Sequence, residues 1–188
     1  MKNMRSKKIL FKKLCMVAMI LIGIIFITAC SKDENETTLK TVVEQLYNCP
    51  NEEVIAASKE EPKVDESNLS EGGTGIVSIV EWALFDKLEE LYQSYFTEDA
   101  YDKLLNERVF YNNHLNAEEN NYSLEVKSVS VSKNKSDDTK YDFTISVKYI
   151  PITGEEKIVD LQGSAQFSEE GKIEYFKVFT DLKNKLSE

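Results

Sequence analysis

The sequence is poor in the residue types that build covalent cross-links and metal sites. Its 188 residues include three cysteines and one histidine, His114. A single histidine excludes any site that needs two histidine ligands, and no histidine–cysteine cluster has zinc-site spacing. The chain also lacks a Gly-x-Ser-x-Gly nucleophile elbow and a calcium loop of the EF-hand type. The residue types therefore predict neither a metal nor a cofactor.

Basic residues are scarce after the first 29 positions. All six basic residues of that leader precede the first acid, which leaves 17 basic residues against 33 acidic ones in the rest. The remaining 159 residues thus carry a formal charge of −16, against −10 for the whole chain. Such a surface is repelled by phosphate backbones, and no basic stripe offsets it, so we expect no nucleic-acid binding.

The N-terminus has the three parts of a secretory signal. Basic residues end at Lys13, an uncharged aliphatic stretch follows, and Ile27-Thr28-Ala29-Cys30 closes the run. Those four residues resemble the lipobox of bacterial lipoproteins, in particular those of low-GC Gram-positive bacteria. The resemblance implies a signal peptide over 1–29, cleavage between Ala29 and Cys30, and a diacylglyceryl (palmitate-type) anchor on Cys30. An uncleaved signal anchor is the alternative, because the uncharged run is just long enough to span a bilayer.

Both alternatives place the acidic domain on the extracytoplasmic face of the cell membrane. If the leader is removed, Cys15 leaves with it, and lipid blocks the thiol of Cys30. Cys49 then has no partner, so no internal disulfide is expected. We interpret Cys49 as a small, partly buried residue beside Pro50 rather than as a redox thiol.

The organisation after the leader follows from composition and periodicity. Residues 30–36 are polar and predict a tether, 37–183 a single domain, and 184–188 a polar tail. The apolar spacing indicates a helix from Thr37 or Thr38 and a short helix capped by Asn51. Residues 59–75 indicate a loop, 76–96 a long helix whose first residues could instead form a strand, and 98–106 a helix capped by Thr97.

The last third changes to a period of two, which is typical of half-buried strands. Residues 141–149 alternate most clearly, and their apolar set is Tyr141, Phe143, Ile145, Val147 and Tyr149. Apolar residues change phase after Val126, which predicts a bulge near Lys127-Ser128, and a second phase slip lies within 173–178. Runs at 122–131, 141–149, 159–167 and 173–178 predict an α+β fold, with N-terminal helices packed on a curved, bulged, four-stranded antiparallel sheet.

This element order over residues 37–180 resembles the NTF2-like (cystatin-like) fold. The resemblance implies a curved sheet around a long helix, with a cone-shaped pocket between them. Some members of that family are enzymes, others bind ligands, and many only mediate assembly, so the fold does not choose among these functions.

Several residues are candidates for function, and each also has a simpler interpretation. His114 could face into a cone, but its polar surroundings favour a surface loop. The glycines at 72–75 lack the rest of a phosphate-binding motif and favour a hinge, and the acidic pairs favour solvated surface over calcium binding. Aromatic side chains could line a pocket, although core packing explains them as well: Trp82, Tyr141, Phe143 and Tyr175.

The sequence thus favours a membrane-anchored, non-enzymatic binding or assembly module at the cell surface. Its expected partners are the membrane, through the lipid on Cys30, and a cell-envelope protein. A small-ligand carrier or an enzyme that uses an NTF2-like cone pocket is the alternative.

Overall fold

The structure is a computed structural model that describes residues 33–65 and 78–187. The predictions for the signal segment 1–29, for Cys30 and for the glycines at 72–75 lie outside these ranges. In chain order the described elements are α1 (Glu34–Tyr47), α2 (Glu52–Ser58), β1 (Lys63–Asp65), β2 (Ser78–Glu81), α3 (Ala83–Tyr92), α4 (Glu98–Asn106), α5 (Asn112–Glu119), β3 (Tyr122–Lys133), β4 (Lys140–Pro151), β5 (Lys157–Phe167), β6 (Ile173–Val178) and α6 (Leu182–Ser187).

The four long strands form one antiparallel sheet in the order β3-β4-β5-β6, and helices pack on it, so the predicted α+β fold is confirmed. β4 lies in the interior of the sheet, as its alternation predicts. Tyr141, Phe143, Ile145 and Val147 are buried on its helix-facing side, while the residues between them are partly or fully exposed. The two short strands β1 and β2 form a separate antiparallel pair.

Both predicted phase changes are present as register shifts. The β3–β4 pairing skips a residue between Val126 and Ser128. The β5–β6 pairing shifts at Phe167, so that Ile173 and Phe176 are buried but Tyr175 is 40% exposed. Each bulge lets one strand place apolar residues of opposite sequence phase on the same face.

Helix boundaries differ from the prediction at three places. α1 begins at Glu34 rather than at 37, because acidic residues suit a helix N-terminus and Glu36 pairs with Lys40 at 2.6 Å. The single long helix predicted over 76–96 is wrong, and its alternative holds, since β-branched residues form β2 before α3 begins. β1 lies within the segment predicted as loop.

The C-terminal segment is also helical further than its composition suggests. α6 runs to Ser187, through most of the predicted polar tail. Leu182 and Leu186 pack against the core, and Lys157 donates a hydrogen bond to the carbonyl of Leu186 at 2.7 Å. Two leucines four residues apart lie on one side of this short helix and pack it against the core.

Aromatic rings fill the space between the helices and the sheet. Phe110 lies between Tyr92 and Tyr101, with ring centroids 4.6 and 5.2 Å away. The ring of Phe96 packs against that of Phe110 in a T-shaped arrangement. Phe143 stacks on Phe176, and its ring covers Gly163 so closely that a Cβ there would lie 2.4 Å from it. The interior is therefore a packed core.

Candidate functional site

Two open cavities adjoin each other between α5 and the end of β6. Their volumes are about 430 and 730 Å³. Both are lined by the same five residues: Tyr47, Asn112, Asn113, Val178 and Thr180. We call the joined space the α5–β6 groove. Its walls come from α1, α4, α5, β3, β4, β6 and α6, which are spread along the sequence.

The smaller cavity forms one end of the groove, between the last turn of α4 and β6. β6 is the edge strand of the sheet, and a single bridge between Ile173 and Phe96 lies on its outer side among the described residues. Lys103 and Arg108 on one wall and Lys177 on the other are exposed, with Glu107 beside them. This basic end, defined by Lys103, Arg108 and Lys177, stands out in a chain of net charge −10.

None of these three cations forms an ion pair within residues 33–65 and 78–187. Ion pairs elsewhere in that part use other lysines, for example Lys59 with Glu118 and Lys148 with Glu156. The three side chains thus remain available to a negatively charged group from outside the chain.

Arg108 occupies a backbone position that normally suits glycine. α4 ends in a Schellman motif, in which the N–H of Arg108 donates to Leu105 at 3.0 Å and that of Val109 donates to Leu104 at 2.9 Å. Arg108 consequently has a left-handed φ of 62°. A side chain here costs about 1 kcal/mol relative to glycine, so the local structure does not explain the presence of an arginine.

Asparagines line the larger cavity. Asn112, Asn116 and Asn120 follow one another at intervals of four, which places them in a row on one side of α5. Asn120 donates its side-chain N–H to the carbonyl of Asn116 at 2.9 Å. The amides of Asn112 and Asn116 make no hydrogen bond with other described residues, so each presents free donors and an acceptor to the groove.

Tyrosines supply the aromatic part of this cavity. Tyr122 and Tyr149 lie with ring centroids 5.0 Å apart on neighbouring strands. Burial raises the pKa of Tyr122 to about 12, and burial likewise raises that of Tyr47 to about 12, opposed by a hydrogen bond from Asn113. Both phenols are therefore neutral at physiological pH and can donate or accept a hydrogen bond.

The four aromatic residues predicted as pocket lining do not share one pocket in the described part. Trp82 packs edge-on against Phe85 and donates its indole N–H to the carbonyl of Glu60 at 2.9 Å. Tyr141 and Phe143 are buried in the core, as the simpler interpretation holds, although Tyr141 and Tyr175 together line one shallow cavity of about 240 Å³. Tyr175 is exposed and lines the basic end of the groove.

The prediction that His114 lies in a surface loop is wrong. His114 is 1% exposed, on the inner side of α5, and its Nδ1 accepts the backbone N–H of Asn51 at 3.2 Å. Burial lowers its pKa to about 4, opposed by the nearby backbone of Gln45, and its buried Nε2 makes no hydrogen bond of normal geometry with the described residues. Tertiary packing decides this burial, since the local sequence is almost entirely polar. The ring is neutral near pH 7 and holds α5 to the start of α2.

Cys49 is a buried thiol, as its simpler interpretation holds, and Asp137, in one of the acidic pairs, is hydrogen-bonded to its neighbours. Cys49 is buried, its Sγ donates to the carbonyl of Leu46 at 3.3 Å, and burial raises its pKa to about 12. Asp137 accepts hydrogen bonds from Thr139, and its pKa is lowered to about 2 by that hydroxyl first and by Lys140 next. Within the described ranges, no three His, Cys, Asp or Glu side chains converge as metal ligands, and no helix has the length and apolarity to cross a bilayer.

No protein-family model, no curated protein and no solved structure matches the chain. We therefore infer function from the geometry of the groove, which the sequence patterns did not predict. Two signals for it are present in the sequence: the spacing of the asparagines at 112, 116 and 120, and the position of the one arginine after the leader, Arg108.

Proposed function

We propose that this protein is a non-enzymatic binding module, anchored at the extracytoplasmic face of the cell membrane by lipid on Cys30, that holds a cell-envelope protein in the α5–β6 groove. The observation that carries the binding role is the groove itself, a long open channel beside a packed core. Neutral tyrosines and asparagines on its walls combine rigid aromatic area with adaptable hydrogen bonding, a composition typical of protein-binding surfaces.

The placement of the titratable groups supports binding rather than catalysis. His114, the one histidine of the chain, is engaged in the core instead of facing the groove. The carboxylates of Glu107 and Asp181 line different cavities. Asp181 also accepts the N–H groups of Lys183 and Asn184 at 2.8 and 3.2 Å, which commits it to capping α6. A nucleophile with an adjacent base is not formed among the described groove residues.

A small-ligand carrier is the second candidate, since each cavity alone falls within the range of ~300–1,000 Å³ common for small-molecule sites. A carrier encloses most of its ligand, however, whereas the groove is walled by exposed side chains such as Asn112, Lys103 and Phe179. An open channel is better suited to an extended chain whose two ends continue into solvent.

The proposed lipid anchor is tested by replacing the sulfur atom of Cys30 with oxygen. We expect Cys30→Ser to stop lipid attachment and signal removal, so that the precursor keeps its full length. Fractionation of cells labelled with a radioactive fatty acid measures both effects, with Cys49→Ser as the matched control that stays lipidated. Normal processing and labelling of Cys30→Ser would refute the lipid anchor.

The binding role is tested by photocrosslinking in the cells that make the protein. A photoreactive amino acid at Lys183, which is exposed on the α6 wall of the groove, should capture a discrete envelope protein. The same amino acid at Glu170, exposed in the β5–β6 turn away from the groove lining, is the control. Equal crosslinking from both positions, or none from Lys183, would contradict a binding role for the groove.

A further inference from the structure

We propose that the basic end of the groove receives the carboxylates of an extended, acidic peptide segment of the partner, an inference that rests on the proposed binding function. The charge and the length of the groove both limit which ligands can bind in it.

The basic end has the opposite charge from the rest of the surface. Lys103, Arg108 and Lys177 line it against one acid, Glu107, while the chain after residue 29 has about twice as many acidic as basic residues. The guanidinium of Arg108 offers the forked donor geometry that a carboxylate accepts through both oxygens. Repulsion from distant acids is screened beyond ~8 Å at physiological salt, so the three nearby cations decide which ligand binds.

The backbone of Arg108 gives an independent reason to assign a role to its side chain. The left-handed φ of 62° makes glycine the favoured residue of the Schellman motif, and the arginine makes no ion pair in the described part of the chain. A residue kept where its backbone is strained, without a stabilising contact of its own, points to function.

The shape of the groove favours an extended peptide over a compact anion. From Asn112 to Asn120 the row of asparagines spans ~12 Å at the rise of an α-helix, and the basic end continues beyond Asn112. An asparagine amide offers the same donor and acceptor as a peptide bond, so the row can pair with backbone groups. Edge strand β6 forms the facing wall, where an extended segment can run alongside it.

The geometry therefore assigns two parts of one peptide to two parts of the groove. Carboxylate side chains lie among Lys103, Arg108 and Lys177, and the following backbone lies along Asn112 and Asn116. The neutral phenol of Tyr122 and the ring of Tyr149 beside it at the far end favour an uncharged or aromatic continuation. A phosphate polymer would satisfy the cations and accept from the amide N–H groups, but it has no donors for the amide carbonyl oxygens of the asparagine row, whereas a peptide backbone has both donors and acceptors.

The test selects peptides on the full-length protein purified from membranes in a nonionic detergent. A phage library of random heptapeptides at ~0.15 M salt should yield sequences enriched in Asp and Glu next to uncharged residues. The best peptide, labelled with fluorescein, should bind Arg108→Gly and Lys177→Gln roughly tenfold more weakly. Lys172→Gln removes one charge from an exposed lysine outside the groove lining and is the matched control, with affinity within about twofold of the parent.

Loss of folding is distinguished from loss of binding by Arg108→Gly itself. Glycine is the residue that the Schellman turn prefers, so the melting midpoint should stay the same or rise while binding weakens. Selection of peptides without acidic enrichment, or equal affinity for the parent and Arg108→Gly, would overturn the inference. Binding of inorganic polyphosphate that depends on Arg108, without selection of acidic peptides, would also overturn it and assign the site to phosphate.

Failure of this inference is separable from failure of the proposed function. If the Lys183 crosslink in cells survives Arg108→Gly undiminished, a partner occupies the groove without its basic end, and only the acidic peptide is refuted. If the parent forms no crosslink from Lys183, the proposed function itself fails.

Discussion

Helix α5 separates two regions with different tasks. Its inner side carries His114 and Ala117 into the core, whereas its outer side presents Asn112, Asn116 and Asn120 to the groove. The same eight-residue polar helix thus contributes a buried hydrogen bond on one side and, on the other, the amides of Asn112 and Asn116, which bond to no other described residue. Polarity alone therefore does not indicate which side of a helix is buried.

β4 and β6 show the same contrast within the sheet. β4 is an interior strand whose alternating apolar residues are buried between the sheet and the helices. β6 is an edge strand that buries Ile173 and Phe176 but leaves Tyr175 exposed at the groove. Substitutions on the core side should therefore change stability, and substitutions on the groove side should change binding.

The largest expected effect is on the core side, at Phe143. Phe143→Ala removes a buried ring stacked on Phe176 at 5.4 Å and leaves a cavity above Gly163, so the free energy of unfolding should fall by ~3–5 kcal/mol. Thr144→Ala, on the outer face of the same strand, should change it by less than about 1 kcal/mol. Urea unfolding measures both. Equal losses from the two variants would mean that the faces of β4 are assigned incorrectly.

The second-largest expected effect is a pH dependence of the free energy of unfolding, caused by His114. A histidine with a folded pKa of about 4 and a usual value of 6.5 is protonated first in the unfolded chain. Its contribution to stability is complete above pH ~6.5, falls as the pH drops, and is lost by pH ~4. Between pH 7.5 and 5 the loss should be about 2 kcal/mol.

His114→Asn tests this assignment, because asparagine can still accept the N–H of Asn51 but does not titrate. Urea unfolding at a series of pH values should show a shallower decline for the variant than for the parent over pH 7.5 to 5. Parallel declines in the two proteins would show that another group causes the pH dependence.

Arg108→Gly should have a smaller effect, and in the opposite direction. Glycine relieves the left-handed backbone at residue 108, so the domain should gain about 0.5–1 kcal/mol. Arg108→Ala is the control, since it removes the same charge but keeps a Cβ at the strained position. A stabilisation of both variants by the same amount would indicate charge, and not backbone conformation, as the cause.

Sequence periodicity predicts the sheet well, because the alternation of apolar and polar residues along a strand shows which of its side chains are buried. The alternation of 141–149 and the phase change at Val126 identify β4 and the bulge in β3. Helix boundaries are less predictable. α1 begins before Thr37 because acidic residues extend its first turn, and two leucines stabilise the additional helix α6.

The groove could not be predicted in the same way, because its walls meet only in three dimensions. Lys103, Asn112 and Lys177 belong to different elements, and no local pattern links them. The burial of His114 is unpredictable for the same reason, since its neighbours in the sequence are polar and its hydrogen-bond partner Asn51, at the start of α2, comes from a distant part of the chain. The periodicity of a sequence can predict that a residue is buried. It cannot predict which distant elements will leave a channel between them.

The central claim, that the outer side of α5 binds and its inner side stabilises, is tested most directly with the double variant Asn112→Ala, Asn116→Ala. The free energy of unfolding and the Lys183 photocrosslink in cells are measured on the same protein. Alanine is a better helix former and neither amide is bonded within the described chain, so stability should stay within about 1 kcal/mol of the parent. The crosslink should be lost. A stability loss of several kcal/mol with the crosslink intact would contradict the account.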